Sequence, residues 1–214
     1  MNKAITGAKI PPSFDGGIFA PVIARGFKKP SKKHILWVQD MKDIVQQDNK
    51  VLRQIAKEVP VKDIASPKIQ KIIAEMKESL LSQDDGVAIA APQIGVSLRI
   101  FVVSHRIFAP KEDGAQLTPK DDLVFINPKI IKFSKKTEWK QGEGCLSVRW
   151  LYGEVKRHTN VTIEYFDEKG DEYSRGAGGL LAHIFQHEID HLDGILFIDK
   201  ARNVHDLPPE KDGE

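Results

Sequence analysis

Cysteine is almost absent: Cys145 is the only one in 214 residues. A framework of intrachain disulfides is therefore excluded, and a reducing, cytosol-like compartment fits. Long apolar runs are missing too. None approaches the roughly 18 residues that a membrane-spanning helix needs. The longest near the start, Ile18–Ala24, is short and broken by Pro21. It has neither a charged leader nor a clean cleavage site, so neither a signal peptide nor a membrane partner is expected. A large excess of one charge is also lacking. The net charge is +2, which gives no reason to expect direct, sequence-specific nucleic-acid binding.

What is present suits one globular domain with added segments. The hydrophobic fraction is 41% and the charged fraction 29%, ordinary for a chain that builds a core. Charge is uneven along it. Residues 1–39 carry seven lysines and arginines against Asp15 alone, a local +6 that leaves −4 for the remainder. Residues 1–35 show no amphipathic period and read as a basic, irregular extension. The globular domain is expected over 36–200, and residues 201–214 read as a short polar tail.

Within that domain, Asp48–Val59 can form a short helix ended by Pro60. Ser66 followed by Pro67 is an N-cap with proline at the first helical position. Ile69, Ile72, Ile73, Met76 and Leu80 then follow at helical spacing, which predicts a helix to about Ser82. Leu98–Ser104, Val124–Pro128 and Asn160–Phe166 read as strands, with a polar loop between the first two. Residues 172–174 are a possible return strand after the turn at 167–171. A final helix runs from about Leu180 to His191–Asp193 and stops at Gly194. Short strands grouped before a helix predict an α+β fold with small antiparallel or mixed sheets around that buried helix.

The last helix carries His187, Glu188 and His191 in the order H-E-x-x-H. One turn apart, the two imidazoles point the same way and can hold one metal ion, with Glu188 beside them as a proton carrier. A catalytic site of this kind wants a third protein ligand and one open position. No third histidine follows at the metzincin spacing. Glu210 and Glu214, the later glutamates, lie in the tail. Upstream, Cys145 sits in the stretch Gln141–Arg149. It can be a buried small hydrophobe, a nucleophile, or the thiolate that completes a Cys/His/His set. Gly144 lets the backbone approach whatever is bound.

EGCLS at Glu143–Ser147, QHEIDHLDG at Gln186–Gly194 and GVAIAAPQIG at Gly86–Gly95 occur in that family's order, and together they closely resemble the peptide deformylases. NKVLRQIAKEVP at Asn49–Pro60 resembles the usual start of that domain. The resemblance covers about residues 36–200. It implies one divalent metal held by Cys145, His187 and His191, often Fe(II) in cells, with Zn(II), Ni(II) or Co(II) as substitutes. It implies hydrolysis of the N-formyl group from formyl-methionine at the start of newly made polypeptides, with release of formate. Glu188 then carries the proton, and the Gln93 amide and Leu146 N–H receive the oxyanion.

Val87, Ala88 and Ile89 are expected to pair with the extended peptide, while Leu180, His183 and Ile184 line the methionine side chain, with His183 partly exposed at the rim. The family pattern makes Glu143 and Arg157 a supporting ion pair, and Asp190 can orient a ligand histidine. Ala88 stands where the family usually has a glycine, so its methyl is expected to narrow the peptide's approach. Arg149-Trp150 replaces a common proline-containing turn, which makes Trp150 and Tyr152 candidates for a different rim. A transient encounter with the ribosome and a bacterial cytoplasm, or else a eukaryotic organelle, are the expected setting. Two alternatives are a non-catalytic peptide-binding protein on the same scaffold and a metallo-amidase of different substrate choice.

Overall fold

A computed structural model describes residues 42–108 and 121–208. The extension at 1–35, the expected domain start at 36 and the middle of the polar loop lie outside those residues. The described chain is α+β. Helix α1 spans Pro67–Leu81 and α2 spans Gly179–Leu192. Strands β1 (Ala88–Ala90), β2 (Ile100–Val103), β3 (Leu123–Phe133), β6 (Asn160–Phe166) and β7 (Glu172–Gly178) form one sheet in the order β1-β2-β3-β6-β7. Strands β4 (Thr137–Cys145), β5 (Val148–His158) and β8 (Arg202–Asp206) form a second, in the order β4-β5-β8. Every named strand pair is antiparallel.

The larger sheet is buried on both faces at β2 and the first half of β3, which carry apolar residues in both alternating sets. Ile100, Val102, Val124 and Ile126 join α1's Ile69, Ile72, Ile73, Met76 and Leu80 in one cluster. Phe101, Val103, Phe125 and Ile163 join α2's Ala182, Ile184, Phe185, Ile189 and Leu192 in the other. Phe125 anchors the second layer, with Phe101 stacked at 4.6 Å and Phe185 edge-on at 5.0 Å. Thus α2 is pressed against the sheet along its apolar side, and its histidine side turns toward the smaller sheet.

Helix α1 begins as its sequence predicts. Ser66 Oγ accepts the Ile69 N–H at 3.4 Å and Pro67 occupies the first turn. The segment at Asp48–Val59 does not form the expected helix. Only Lys50–Arg53 makes a 3₁₀ turn. Beyond it, backbone bonds from Ala56 N to Leu192 O and from Arg99 N to Lys57 O pull the chain out straight. Residues 202–206, expected within a tail, add strand β8 to the smaller sheet. The return strand after β6 is longer than its three expected residues and takes in Gly176 and Gly178.

Candidate active site

Helix α2 starts at Gly179 and ends where Gly194 takes φ 76°. A Cβ on Gly194 would lie 2.9 Å from the Arg53 carbonyl carbon, so both conformation and space demand glycine. His187 and His191 face the tip of the β4–β5 hairpin, where Cys145 pairs with Val148. Cys145 Sγ lies 3.2 Å from His191 Nε2. His187 gives its Nδ1–H to Glu143 Oε1 at 2.8 Å, which leaves Nε2 directed away from that carboxylate. One ligand atom from each of Cys145, His187 and His191 lies within 4.8 Å of the others.

That spacing suits one ion. In a tetrahedral site with ordinary metal–sulfur and metal–nitrogen bonds, sulfur and nitrogen stand about 3.5 Å apart. The His191 imidazole is held well below its ordinary pKa, by burial first and by the charge of His187 second. It therefore offers a neutral lone pair. Burial also pulls His187 down, but its hydrogen bonds with Cys145 and Glu143 outweigh this and hold it well above the usual value. Beside them Glu188 is buried, and its Oε2 has no hydrogen-bond partner among the described residues. Burial pushes the Glu188 carboxyl up to about 7, against the opposing pull of His187. A carboxyl poised there can hold or release a proton near neutral pH.

Glu143 and Arg157 form a buried pair. Arg157 gives Nη2–H to Glu143 Oε1 and Nε–H to Oε2, the latter at 3.1 Å. Its Nη1 reaches Asp190 Oδ2 at 2.6 Å, and Lys200 holds Oδ1 of that aspartate at 2.6 Å. Asp190 thus meets Arg157 and Lys200, and the hydrogen-bond partner of His187 is Glu143. Burial alone would raise the Glu143 carboxyl, yet His187 and Arg157 bring it down to about 2.

Gln93 follows β1 in the 3₁₀ turn Ala91–Ile94. Its Oε1 accepts the Ala90 N–H at 2.8 Å, and its Nε2 points at Cys145 Sγ and Ser147 Oγ, 3.6 and 3.2 Å away. Leu146 is buried and its carbonyl accepts from Gln46 Nε2 at 3.2 Å. Sequence reasoning missed Gln46 and Ser147. Ser147 lay inside the cysteine motif, whereas Gln46 sits a hundred residues from its partner in a segment without a pattern.

The remaining expected residues are placed unevenly. Among the described residues strand β1 pairs only with β2, which leaves its other edge open. Val87 C=O accepts from Ser104 N at 2.9 Å, and antiparallel alternation then turns the Ile89 polar atoms inward as well. Of the three residues expected to pair with a peptide, only Ala88 presents its N–H and C=O to the open edge. The Ala88 methyl joins the cluster beneath α2, and Ile89 joins the one beneath α1. The methyl therefore fills core space, a correction to the expectation that it narrows the groove.

His183 is buried, not rim-exposed, and burial brings its imidazole down to about 4. Ile184 is buried, while Leu180 is 39% exposed and stands at the outer end of that face. The close approach allowed by Gly144 is made by this chain's own Tyr152: a Cβ there would lie 2.6 Å from the ring.

A thiol, two imidazoles and a buried carboxyl on an α+β scaffold define a metal-dependent hydrolase. Comparison with known proteins agrees. The polypeptide deformylase family model matches residues 41–206. The peptide deformylase of Carboxydothermus hydrogenoformans is 43% identical over 161 residues, 75% of this chain and 93% of that one. Chloroplastic peptide deformylase 1A of Solanum lycopersicum is 40% identical over 168 residues, 76% of this chain and 60% of that one. Among solved structures, a Met-Ala-Ser-bound peptide deformylase from Acinetobacter baumannii has a TM-score of 0.64 at 31% identity, covering 75% of this chain and 98% of that one. An actinonin complex from Synechococcus elongatus has a TM-score of 0.65 at 34% identity, covering 78% and 83%. The chain belongs to the polypeptide deformylase family.

Proposed function

We propose that this chain hydrolyses the N-formyl group from formyl-methionine at the start of newly made polypeptides. The observation that carries the reading is the convergence of Cys145, His187 and His191 within 4.8 Å beside the buried Glu188. Those three residues hold one divalent ion. Fe(II) is the ion in cells, and Zn(II), Ni(II) or Co(II) can replace it; the thiolate in the donor set favours such borderline and softer ions over magnesium or calcium. When bound, the ion supplies Lewis acidity, which lowers the pKa of a water and polarises the formyl oxygen.

Glu188 takes the proton that the attacking water loses as its oxygen bonds to the formyl carbon. The same carboxyl returns that proton to the amine nitrogen as the carbon–nitrogen bond breaks, giving formate and a free N-terminus. Gln93 Nε2 and the Leu146 N–H receive the oxyanion of the tetrahedral state. Glu143 fixes the His187 ring by accepting its Nδ1–H, and Arg157 holds Glu143 in turn. Ile184 and the neutral His183 wall the methionine pocket, with Leu180 at its mouth. The Ala88 N–H and C=O pair with the peptide main chain, as an added strand would. Recognition of main-chain atoms tolerates varied side chains after methionine.

The catalytic unit is assigned to residues 36–200 together with β8, and residues 1–35 to an extension outside it. Acting on nascent chains implies a transient encounter with the ribosome, without sequence-specific nucleic-acid binding. A bacterial cytoplasm is the assigned setting, with a eukaryotic organelle as the alternative. The single cysteine supports a reducing compartment. A direct test compares turnover of formyl-, acetyl- and unmodified Met-Ala-Ser by the metal-loaded protein. Release from the formyl peptide alone is expected; equal turnover of the acetyl peptide would point to a broader amidase.

A further inference from the structure

Arg149 and Trp150 depart from the family's common proline-containing turn, and the structure gives both a distinctive setting. Arg149 Nη1 meets Asp85 Oδ2 at 2.6 Å, and Nη2 meets Gln83 Oε1 at 2.6 Å. Gln83 and Asp85 lie in the connection between α1 and β1, 64 to 66 residues away in sequence. The Arg149 guanidinium also lies 5.0 Å from the Trp150 ring centre. Trp150 itself takes φ 52°, a left-handed conformation that strains a bulky residue. Strain of that kind persists only where neighbours hold it; Leu207 N–H bonds the Trp150 carbonyl at 2.8 Å, and the doubly bonded arginine lies against its ring.

The placement matters because, among the described residues, the segments flanking β1 are tied to the hairpin at both ends. At one end Gln93 Nε2 bonds Ser147 Oγ, next to the Cys145 cluster. At the other end Arg149 bonds Asp85 and Gln83. The open edge of β1 runs between these ties. A chain laid along it from Ala90 toward Gly86 covers roughly 13 Å, at about 3.3 Å per residue. Residues following the formyl-methionine therefore run from the reacting centre toward the Arg149 tie.

We propose that the Arg149–Asp85 ion pair is a clasp that fixes the separation between β1 and the β4–β5 hairpin, and so sets how much the residues after formyl-methionine add to binding. The proposal rests on the deformylase reading above. Arg149 acts through β1 and the hairpin, and is thus a positioning residue. Without the clasp, the Gln83–Val87 segment must be ordered by each peptide that binds, and longer substrates lose most of their advantage.

The test uses the metal-loaded full chain with Arg149→Ala, Asp85→Asn and the charge-reversed double variant D85R/R149D. Two readouts are taken: kcat and KM for formyl-Met-Ala-Ser and for formyl-Met, and calorimetric binding of the product peptides Met-Ala-Ser and Met. In each single variant, the kcat/KM advantage of the tripeptide over formyl-Met falls about tenfold, through KM. The binding advantage of Met-Ala-Ser over Met falls in parallel. The double variant recovers part of both. Equal losses on the long and short ligands, or no loss on either, would overturn the proposal. If the parent protein turns over neither formyl substrate, the deformylase reading fails, and the length dependence of product binding still decides the clasp.

Discussion

At the scale of single residues, the best-defined electrostatic element is Glu143. Burial penalises its charge, but hydrogen bonds from His187 and Arg157 bring its pKa down to about 2. A carboxyl lowered on folding contributes stability that is fully present above the unfolded value near 4.5. That stability is lost as pH falls toward about 2. The contribution is about 3 kcal/mol. Thermal unfolding followed between pH 6 and pH 3 should show this loss, and Glu143→Gln should flatten it. The same substitution replaces the carboxylate that accepts the His187 Nδ1–H with a weaker acceptor. Metal affinity should fall about 10- to 100-fold, measured by competition with a chelator. Of the residue roles, the H-E-x-x-H pair could be read from spacing alone. The third donor could not, since Cys145 had three meanings until the family resemblance and the fold were in view.

Elements follow their local signals where those signals agree with tertiary bonding, and depart where they do not. Both long helices lie where their apolar spacing and end residues put them, and β6 follows its alternation. The Asp48–Val59 segment has helical spacing but gives its backbone groups to the chain around Leu192 and Arg99. The β4–β5 hairpin gave no strand signal, because its register shifts near Lys140–Glu143 and Gly144–Cys145 scramble the alternation of buried and exposed positions. Yet those irregular positions aim Cys145 at α2. Gly194 offers the sharpest test of an element boundary. Gly194→Ala combines a left-handed φ with a 2.9 Å approach to Arg53. It should cost at least about 1 kcal/mol, read as a lower urea midpoint with an unchanged slope.

For the whole molecule, the two-sided sheet explains how a short helix can carry four polar side chains into the interior. Phe101, Phe125 and Phe185 lock α2 from one side. The smaller sheet then closes over the histidines from the other, and the Arg157 cluster neutralises what is buried between them. An ion held by Cys145, His187 and His191, as proposed, would link this assembly, so its removal should loosen all of it. Chelation should lower the melting temperature by about 5–10 °C, the shift expected when an ion present in hundredfold excess over its Kd is withdrawn from a domain of this size. Re-addition of Zn(II) or Ni(II) should restore it. The architecture class was readable from the grouping of strands before the last helix. The division into two sheets, and the contacts across them such as Arg149 with Asp85, arise between residues far apart in sequence and leave no local pattern.

The central claim is that Glu188 moves the proton in hydrolysis at a site built by Cys145, His187 and His191. The most direct measurement is formate release from formyl-Met-Ala-Ser by anaerobically purified protein and its Glu188→Gln variant, with the metal content of both determined on the same samples. The variant should hold a full complement of metal and lose about 10²- to 10⁴-fold in kcat. A metal-loaded variant that releases formate at the parent rate would contradict the account.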